Sequence, residues 1–192
     1  MPSQYLADAL RVNTGLTWLN LFGNQIGSQG ASDALKVNRS LRLISLDSNQ
    51  IGDEGAQSLA DALQGHLSLT WIHLSGYQIG SEGAQYLVDA LRANTSLTMI
   101  GLSDSQIGYQ GVQSLAGALR VNRTLHKRSI DANKIGDEGA QYLAEALRVN
   151  TSLAIYWLDG VHGQEVTKTN SQKDLERMPP VVVKDGLKYC NT

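Results

Sequence analysis

Residues 41–68 read LRLISLDSNQIGDEGAQSLADALQGHLS, and residues 69–96 read LTWIHLSGYQIGSEGAQYLVDALRANTS. The two stretches have equal length and keep leucine, Ile-Gly and alanine at matching positions. The Ile-Gly pair recurs with spacings of 25, 28, 28 and 28 residues, at Ile26, Ile51, Ile79, Ile107 and Ile135. A fixed period of this length indicates an array of repeated structural units.

Each unit combines two periodicities. In the unit that starts at Leu41, Ile44 and Leu46 alternate with polar residues, as in a short strand with one buried side. From Ala56 to Leu63 the apolar residues follow the i, i+3, i+4, i+7 spacing of an amphipathic helix. After four of the five Ile-Gly pairs, the next residue is a predicted N-cap of that helix because its side-chain oxygen can accept from a free N–H, whereas Tyr109 breaks this pattern. The candidates are Ser28, Asp53, Ser81 and Asp137.

A strand followed by a helix, many times over, predicts an α/β fold with parallel strands side by side and helices on one face. Neighbouring strands are about 4.8 Å apart, whereas helix axes need about 8–10 Å. The mismatch predicts a curved, right-handed solenoid with the sheet inside and the helices outside. The repeat count predicts about six strands and about six helices.

The pattern L-x-x-L-x-L-x-x-N-x-I-G with a 28-residue step resembles the ribonuclease-inhibitor-like leucine-rich repeat. That class also builds the leucine-rich ends of NOD-like receptors and the GTPase-activating proteins of Ran. The resemblance covers about residues 3–159 and implies a scaffold that hosts many different partners. The asparagine that the family places in its turns falls at Asn24, Asn49 and Asn133, whereas Tyr77 and Ser105 replace it in two units.

The ends of the repeat pattern predict the domain organisation. We expect a solenoid over residues 1–159, with five units and a partial unit at each end, and an irregular C-terminal cap or tail over residues 160–192. Val181–Val183 can add one strand. The first strand, residues 17–22, is β-prone and uncharged and is the open edge of the predicted sheet. Such an edge is suited to pairing with a partner, a second copy or a parent chain.

The strand pattern predicts which side chains point away from the helices. If positions 4 and 6 of each strand enter the core, positions 3, 5 and 7 face the concave side. All three tryptophans and the single phenylalanine fall in these outward columns. Exposed aromatic patches mark contact sites, so we predict a non-catalytic module that holds a protein partner there, as a receptor-like sensor or an enzyme inhibitor. The predicted contact residues are Trp18, Phe22, Leu43, Trp71, His73, Met99 and Trp157.

Two alternatives remain open at this stage. The protein could regulate an enzyme, as a GTPase-activating protein does, although no residue can be assigned a catalytic role. It could also be a structural spacer, with the aromatic rings lying flat on the sheet and stiffening it. Four asparagines occur in N-x-Ser/Thr sequons at the same place in the repeat, and we interpret them as structural. They are Asn38, Asn94, Asn122 and Asn150.

Composition argues against several other functions. The 192 residues carry a formal net charge of −2 and a pI near 6.1, which is unlike a nucleic-acid binder or a polybasic membrane binder. No apolar run is long enough to span a bilayer, and the start does not resemble a secretory signal. The single cysteine, Cys190, favours a cytoplasmic protein. The four histidines have no zinc-site spacing and no phosphate loop is present, so we predict no metal, cofactor or catalytic residues.

Overall fold

The computed structural model describes residues 2–76, 79–153, 155–157 and 181–182. Strand and helix alternate regularly along this part of the chain. The helices are α1 (Pro2–Val12), α2 (Gly27–Val37), α3 (Gly52–Gln64), α4 (Ser81–Ala93), α5 (Gly108–Leu119) and α6 (Gly136–Val149). The strands are β1 (Trp18–Asn20), β2 (Leu43–Ser45), β3 (Trp71–His73), β4 (Met99–Gly101), β5 (Lys127–Ser129), β6 (Ile155–Trp157) and β7 (Val181–Val182).

The strands form one sheet in chain order, from β1 at one edge to β7 at the other. Each neighbouring pair is parallel. The predicted α/β solenoid of parallel strands and covering helices is therefore confirmed. The sheet has seven strands because Val181 and Val182 pair with β6. The rest of the predicted cap over residues 160–192 lies outside the described residues, so the domain boundary at residue 159 stays a prediction.

The core is built by the positions that the sequence assigned to it. In the second unit Leu41, Ile44 and Leu46 are at most 1% exposed, and the helix residues Leu59 and Leu63 are fully buried. Among the described residues, each helix contacts only the helices next to it in the chain. Every unit therefore relies on its neighbours to cover its apolar stripe, as repeat architectures require.

The Ile-Gly turns use the left-handed region that glycine enters without steric cost. Gly27, Gly52, Gly108 and Gly136 have φ between +61° and +70°, whereas Gly80 has φ −86°. Four helices begin at the left-handed glycine itself, so the residue after it already belongs to the first helical turn.

The predicted N-caps are wrong because these residues lie inside their helices: Ser28, Asp53 and Asp137 follow a left-handed glycine that begins the helix, and Ser81 is itself the first residue of α4. The N-cap position of each helix from α2 to α6 is instead held by an isoleucine or a glycine, which makes no side-chain cap hydrogen bond. Asp53 serves the next unit instead: its Oδ1 accepts from the backbone N–H groups of Gly80 at 2.7 Å and Gly83 at 2.8 Å, at the start of α4. A carboxylate at that helix N-terminus also complements the helix dipole.

A buried asparagine ties successive strand-end turns together. The Asn49 amide is 2% exposed and donates to the Leu21 carbonyl of the preceding unit at 2.7 Å and to the Leu46 carbonyl at 3.0 Å. Its oxygen accepts from the backbone of Ile26 at 3.1 Å. Asn133 repeats this arrangement with the Leu102 carbonyl at 2.7 Å. These bonds satisfy backbone groups that would be costly to bury unpaired.

The sequon asparagines form a second ladder at the turns after the helices. Asn94 donates to the Leu63 carbonyl of the preceding unit at 2.7 Å, and its oxygen accepts from the N–H groups of Ser96 at 2.9 Å and Leu97 at 2.8 Å. All four sequon asparagines are between 1% and 4% exposed. Equivalent bonds occur at Asn38, Asn122 and Asn150. The structural interpretation of the sequons therefore agrees with their contacts.

His66 takes the asparagine position in one unit. Its Nδ1 accepts from the Leu69 N–H at 3.1 Å, as the asparagine oxygen does elsewhere. Its Nε2 is buried and has no hydrogen-bond partner among the described residues. Burial lowers the pKa of His66 to about 4, the Arg39 guanidinium adds to this effect, and the backbone of Asn38 opposes it only in part.

We predict that His66 makes the stability of the protein sensitive to acid. A histidine with a lowered folded-state pKa contributes fully above its unfolded pKa of 6.5, and this contribution is lost as the pH falls toward 4. The free energy of unfolding should drop by about 2 kcal/mol between neutral pH and about pH 5. The variant His66→Asn, which restores the ladder residue, should lose this component in urea unfolding. Equal pH dependence in both proteins would contradict the assignment.

A second prediction concerns glycines inside α5. A Cβ on Gly111 would lie 2.6 Å from the Ile107 Cγ2 and 3.1 Å from the Ala84 Cβ of α4, so Gly111→Ala should lower the free energy of unfolding by about 1–3 kcal/mol. Gly117 is the matched control because a Cβ there would meet only the Arg92 Nη2, at 3.6 Å. Gly117→Ala should stabilise the protein by about 0.5–1 kcal/mol. Chemical unfolding of both variants tests this opposite sign.

Candidate functional site

The concave face is the side of the sheet that points away from the helices, and its residues form in-register columns. The first column contains Trp18, Leu43, Trp71 and Met99, which are direct ladder partners on four successive strands. The second column contains Asn20, Ser45, His73 and Gly101 on the same strands. The structure therefore brings most of the predicted contact residues together, with neighbours in a column separated by one strand spacing of about 4.8 Å.

Exposure along the first column falls from the edge of the sheet toward its centre. Trp18 is 64% exposed and Phe22, just beyond β1, is 62% exposed. Leu43, Trp71 and His73 are half-buried. Exposure is highest at β1 because, in the described structure, this strand has a neighbouring strand on one side only.

Met99 is only 6% exposed, so the expectation that it offers a free contact surface is wrong. The ladder pairs it with Trp71 on one side and with Lys127 on the other, so it lies in the interior of the sheet. Trp157 lies in β6, but its side chain falls outside what the structure describes, and its predicted role stays a prediction.

A polar strip runs beside the apolar column. Asp47 accepts from the Ser75 N–H at 2.6 Å and from the Ser45 hydroxyl at 3.0 Å. Asp131 accepts from the hydroxyls of Ser103, at 2.5 Å, and Ser129. These bonds link neighbouring units across the concave face and hold the two carboxylates in fixed positions.

Gly101 is a feature of this face that the sequence analysis did not use. A Cβ at this position would lie 3.2 Å from the His73 Nδ1 and 3.4 Å from the Ser75 Oγ. The missing side chain makes room for the imidazole of His73. The signal was present in the sequence, because Gly101 is the one glycine in a column of larger residues.

Among the residues that the structure describes, no group of three or more His, Cys, Asp or Glu is arranged to hold a metal ion. A groove of about 380 Å³ lies between α3 and α4, and Ala60, Asp61 and Glu82 are among its lining residues. There the Tyr86 hydroxyl donates to Glu82 at 3.1 Å, which raises the pKa of the Tyr86 phenol. No described helix is both long and apolar enough to cross a membrane.

Comparison with known families agrees with this architecture. A family model described as a leucine-rich repeat matches residues 12–33, 37–60, 93–116 and 121–144. Together with the parallel sheet and its covering helices, these matches support placing the chain among the leucine-rich-repeat proteins. The narrower resemblance to the ribonuclease-inhibitor-like class stays a prediction. No curated protein matches the chain significantly.

Two solved structures have a similar fold. The leiomodin-1 actin-binding site 2 has a TM-score of 0.65 at 20% identity, over 72% of this chain and 81% of that chain. The C-terminal domain of tropomodulin from Caenorhabditis elegans has a TM-score of 0.62 at 18% identity, over 78% of this chain and 93% of that chain. At these identities the likeness concerns the fold alone.

We predict that Met99 and Trp18 differ sharply in what they contribute to stability. Met99→Ala should lower the free energy of unfolding by about 2–4 kcal/mol because it leaves a cavity at a buried position. Trp18→Ala should cost less than about 1 kcal/mol, since most of that side chain is already in water. Urea unfolding of both variants measures the difference. A similar loss at both positions would mean that Trp18 is part of the core.

Proposed function

We propose that the concave face binds a protein partner without catalysis. The observation that carries this proposal is the exposure of Trp18 and Phe22, at 64% and 62%, on a sheet whose core-facing side chains are buried. Large aromatic side chains bury much area with few torsions to immobilise, and they dominate the energetics of protein interfaces. Leu43 and Trp71 extend the same surface toward the centre of the sheet.

The rigidity of the surface supports the proposal. Trp18 and Leu43 belong to paired strands, and the buried amide of Asn49 fixes the turns on either side. A preorganised surface loses little conformational entropy on binding, so more of the contact energy appears as affinity. Met99 is left out of the proposed contact set because it is buried.

The polar strip adds a requirement on the partner. Asp47 and Asp131 are half-buried and already accept hydrogen bonds from serine and backbone groups. Removing water from such carboxylates is costly unless the partner supplies a donor. The partner should therefore offer apolar groups to the first column and hydrogen-bond donors, preferably cationic, to the strip beside it.

The finer interpretation as a receptor-like sensor or inhibitor rests on resemblance alone and stays part of the proposal, as does the cytoplasmic location. Because the leiomodin-1 structure is described as an actin-binding site, actin is a defined first partner to test. Pairing of β1 with a second copy or a parent chain through residues 17–22 also stays a prediction, and light scattering of the purified protein measures it.

The proposal predicts that Trp18→Ala/Phe22→Ala weakens partner binding by at least about thirtyfold, because interface aromatics typically contribute about 2 kcal/mol each and about 1.4 kcal/mol is a factor of ten. Immobilised protein would be tested with purified actin and, separately, with source lysate read by quantitative mass spectrometry. The variant should remain folded because both side chains are mostly exposed.

A matched control removes two exposed aromatics from other surfaces. Tyr5 is 77% exposed on α1 and Tyr109 is 44% exposed on α5, so Tyr5→Ala/Tyr109→Ala changes surface aromaticity equally without touching the concave face. The control should keep the binding that the first variant loses. Identical capture by all three proteins would refute the proposed site. Stimulated hydrolysis by a captured small GTPase would favour the enzyme-regulator alternative instead.

A further inference from the structure

The two long edges of the solenoid carry opposite charge, although the whole chain is nearly neutral. The turns after the six helices span residues 11–16, 36–41, 64–69, 92–97, 120–125 and 148–153 and contain no Asp or Glu. They lie on one edge because the repeats are parallel and in register. We call this the basic edge, and it holds seven cationic residues. They are Arg11, Lys36, Arg39, Arg92, Arg120, Arg123 and Arg148.

The opposite edge is formed by the turns that lead from strand to helix. Residues 47–54, 75–82, 103–110 and 131–138 contain eight acidic residues and one basic residue, Lys134. The acidic residues are Asp47, Asp53, Glu54, Glu82, Asp104, Asp131, Asp137 and Glu138. Five acidic residues lie one helical turn before the basic edge, and two of them pair with its arginines, so the separation of charge across the molecule is partial. They are Asp8, Asp33, Asp61, Asp89 and Glu145.

Aliphatic side chains stand among the cations of the basic edge. Val12 is 80% exposed, Leu67 is 77% exposed, Val121 is 58% exposed and Val149 is 54% exposed. The buried ladder residues explain why they project: Asn122, beside Val121, is 4% exposed and fixes the turn. Half of the large exposed hydrophobic side chains in the described structure lie on this edge.

Helix chemistry explains only part of this pattern. A cation in the last helical turn complements the helix dipole, and Arg92 and Arg120 also pair with Asp89 at 3.6 Å and Glu145 at 3.0 Å. Arg123 lies beyond the end of its helix and has no ion-pair partner among the described residues. The helix dipole gives no reason for exposed aliphatic side chains in the same turns.

We propose that the basic edge docks on an anionic phospholipid surface. Cationic side chains near a membrane are attracted by its acidic headgroups, and aliphatic side chains between them can enter the interface. The six turns contain no Phe, Trp or Tyr on which nucleic-acid bases could stack, and His66 is buried. The acidic edge would face away from the membrane, so the charge separation also orients the molecule.

The experiment is sedimentation of the purified full chain with vesicles of phosphatidylcholine alone and with vesicles containing equal parts of phosphatidylcholine and phosphatidylserine. We expect binding only to the phosphatidylserine vesicles, with a loss as salt is raised. Lys36→Gln/Arg123→Gln should bind the phosphatidylserine vesicles about tenfold more weakly, since each cation near the membrane surface is attracted to the acidic headgroups. Val121→Ser/Val149→Ser should remove the part of the binding that resists salt.

A charge-matched control separates position from net charge. Gln85 and Gln113 are exposed on α4 and α5, away from the basic edge, and Gln85→Glu/Gln113→Glu gives the same net charge as Lys36→Gln/Arg123→Gln. The control should bind almost as the unmodified protein does. Failure to bind phosphatidylserine vesicles, equal weakening in both charge variants, or binding to duplex DNA or an acidic peptide without vesicle binding would each overturn the proposal. None of these outcomes depends on the concave face.

Discussion

The structure depends on satisfying the backbone at the two buried turns of every unit. Each unit changes direction twice, and the turns are packed against neighbouring units where water cannot reach all their polar groups. Buried asparagines, represented by Asn49 and Asn94, donate to carbonyls of the preceding unit and accept from N–H groups within or before their own turn. An unpaired backbone group at such a position costs about as much as a lost hydrogen bond.

The sequence was sufficient for the architecture because each local pattern agrees with the others. The strand positions at Leu41 and Ile44, the helical spacing from Ala56 to Leu63 and the recurring Ile-Gly pair all specify the same unit. The structure confirms these elements and their parallel order. Val181–Val182 also joins the sheet, as the short valine run indicated.

Details that depend on relations between units could not be predicted in the same way. Asp53 was assigned to its own helix, but it binds the backbone of the next one, because the left-handed glycine shifts the helix start. Met99 has an outward position in the strand pattern, yet it is buried in the interior of the sheet. Side-chain alternation predicts which face a residue points to, but it does not predict how much of the side chain is exposed on that face. The charge separation between the edges was not predicted, because the net charge does not say where the charged residues lie in the fold.

His66 also has a mechanical consequence for the array. Where the ladder contains Asn94, Asn122 and Asn150, each junction is closed by an amide that donates across it. At the junction before His66, the imidazole Nε2 supplies no such bond among the described residues. This junction therefore relies more on helix packing and on other bonds, such as that from the Ser32 hydroxyl to the Ser58 carbonyl at 2.8 Å. Under a pulling force, this junction should resist separation less than the same junction with an asparagine at position 66.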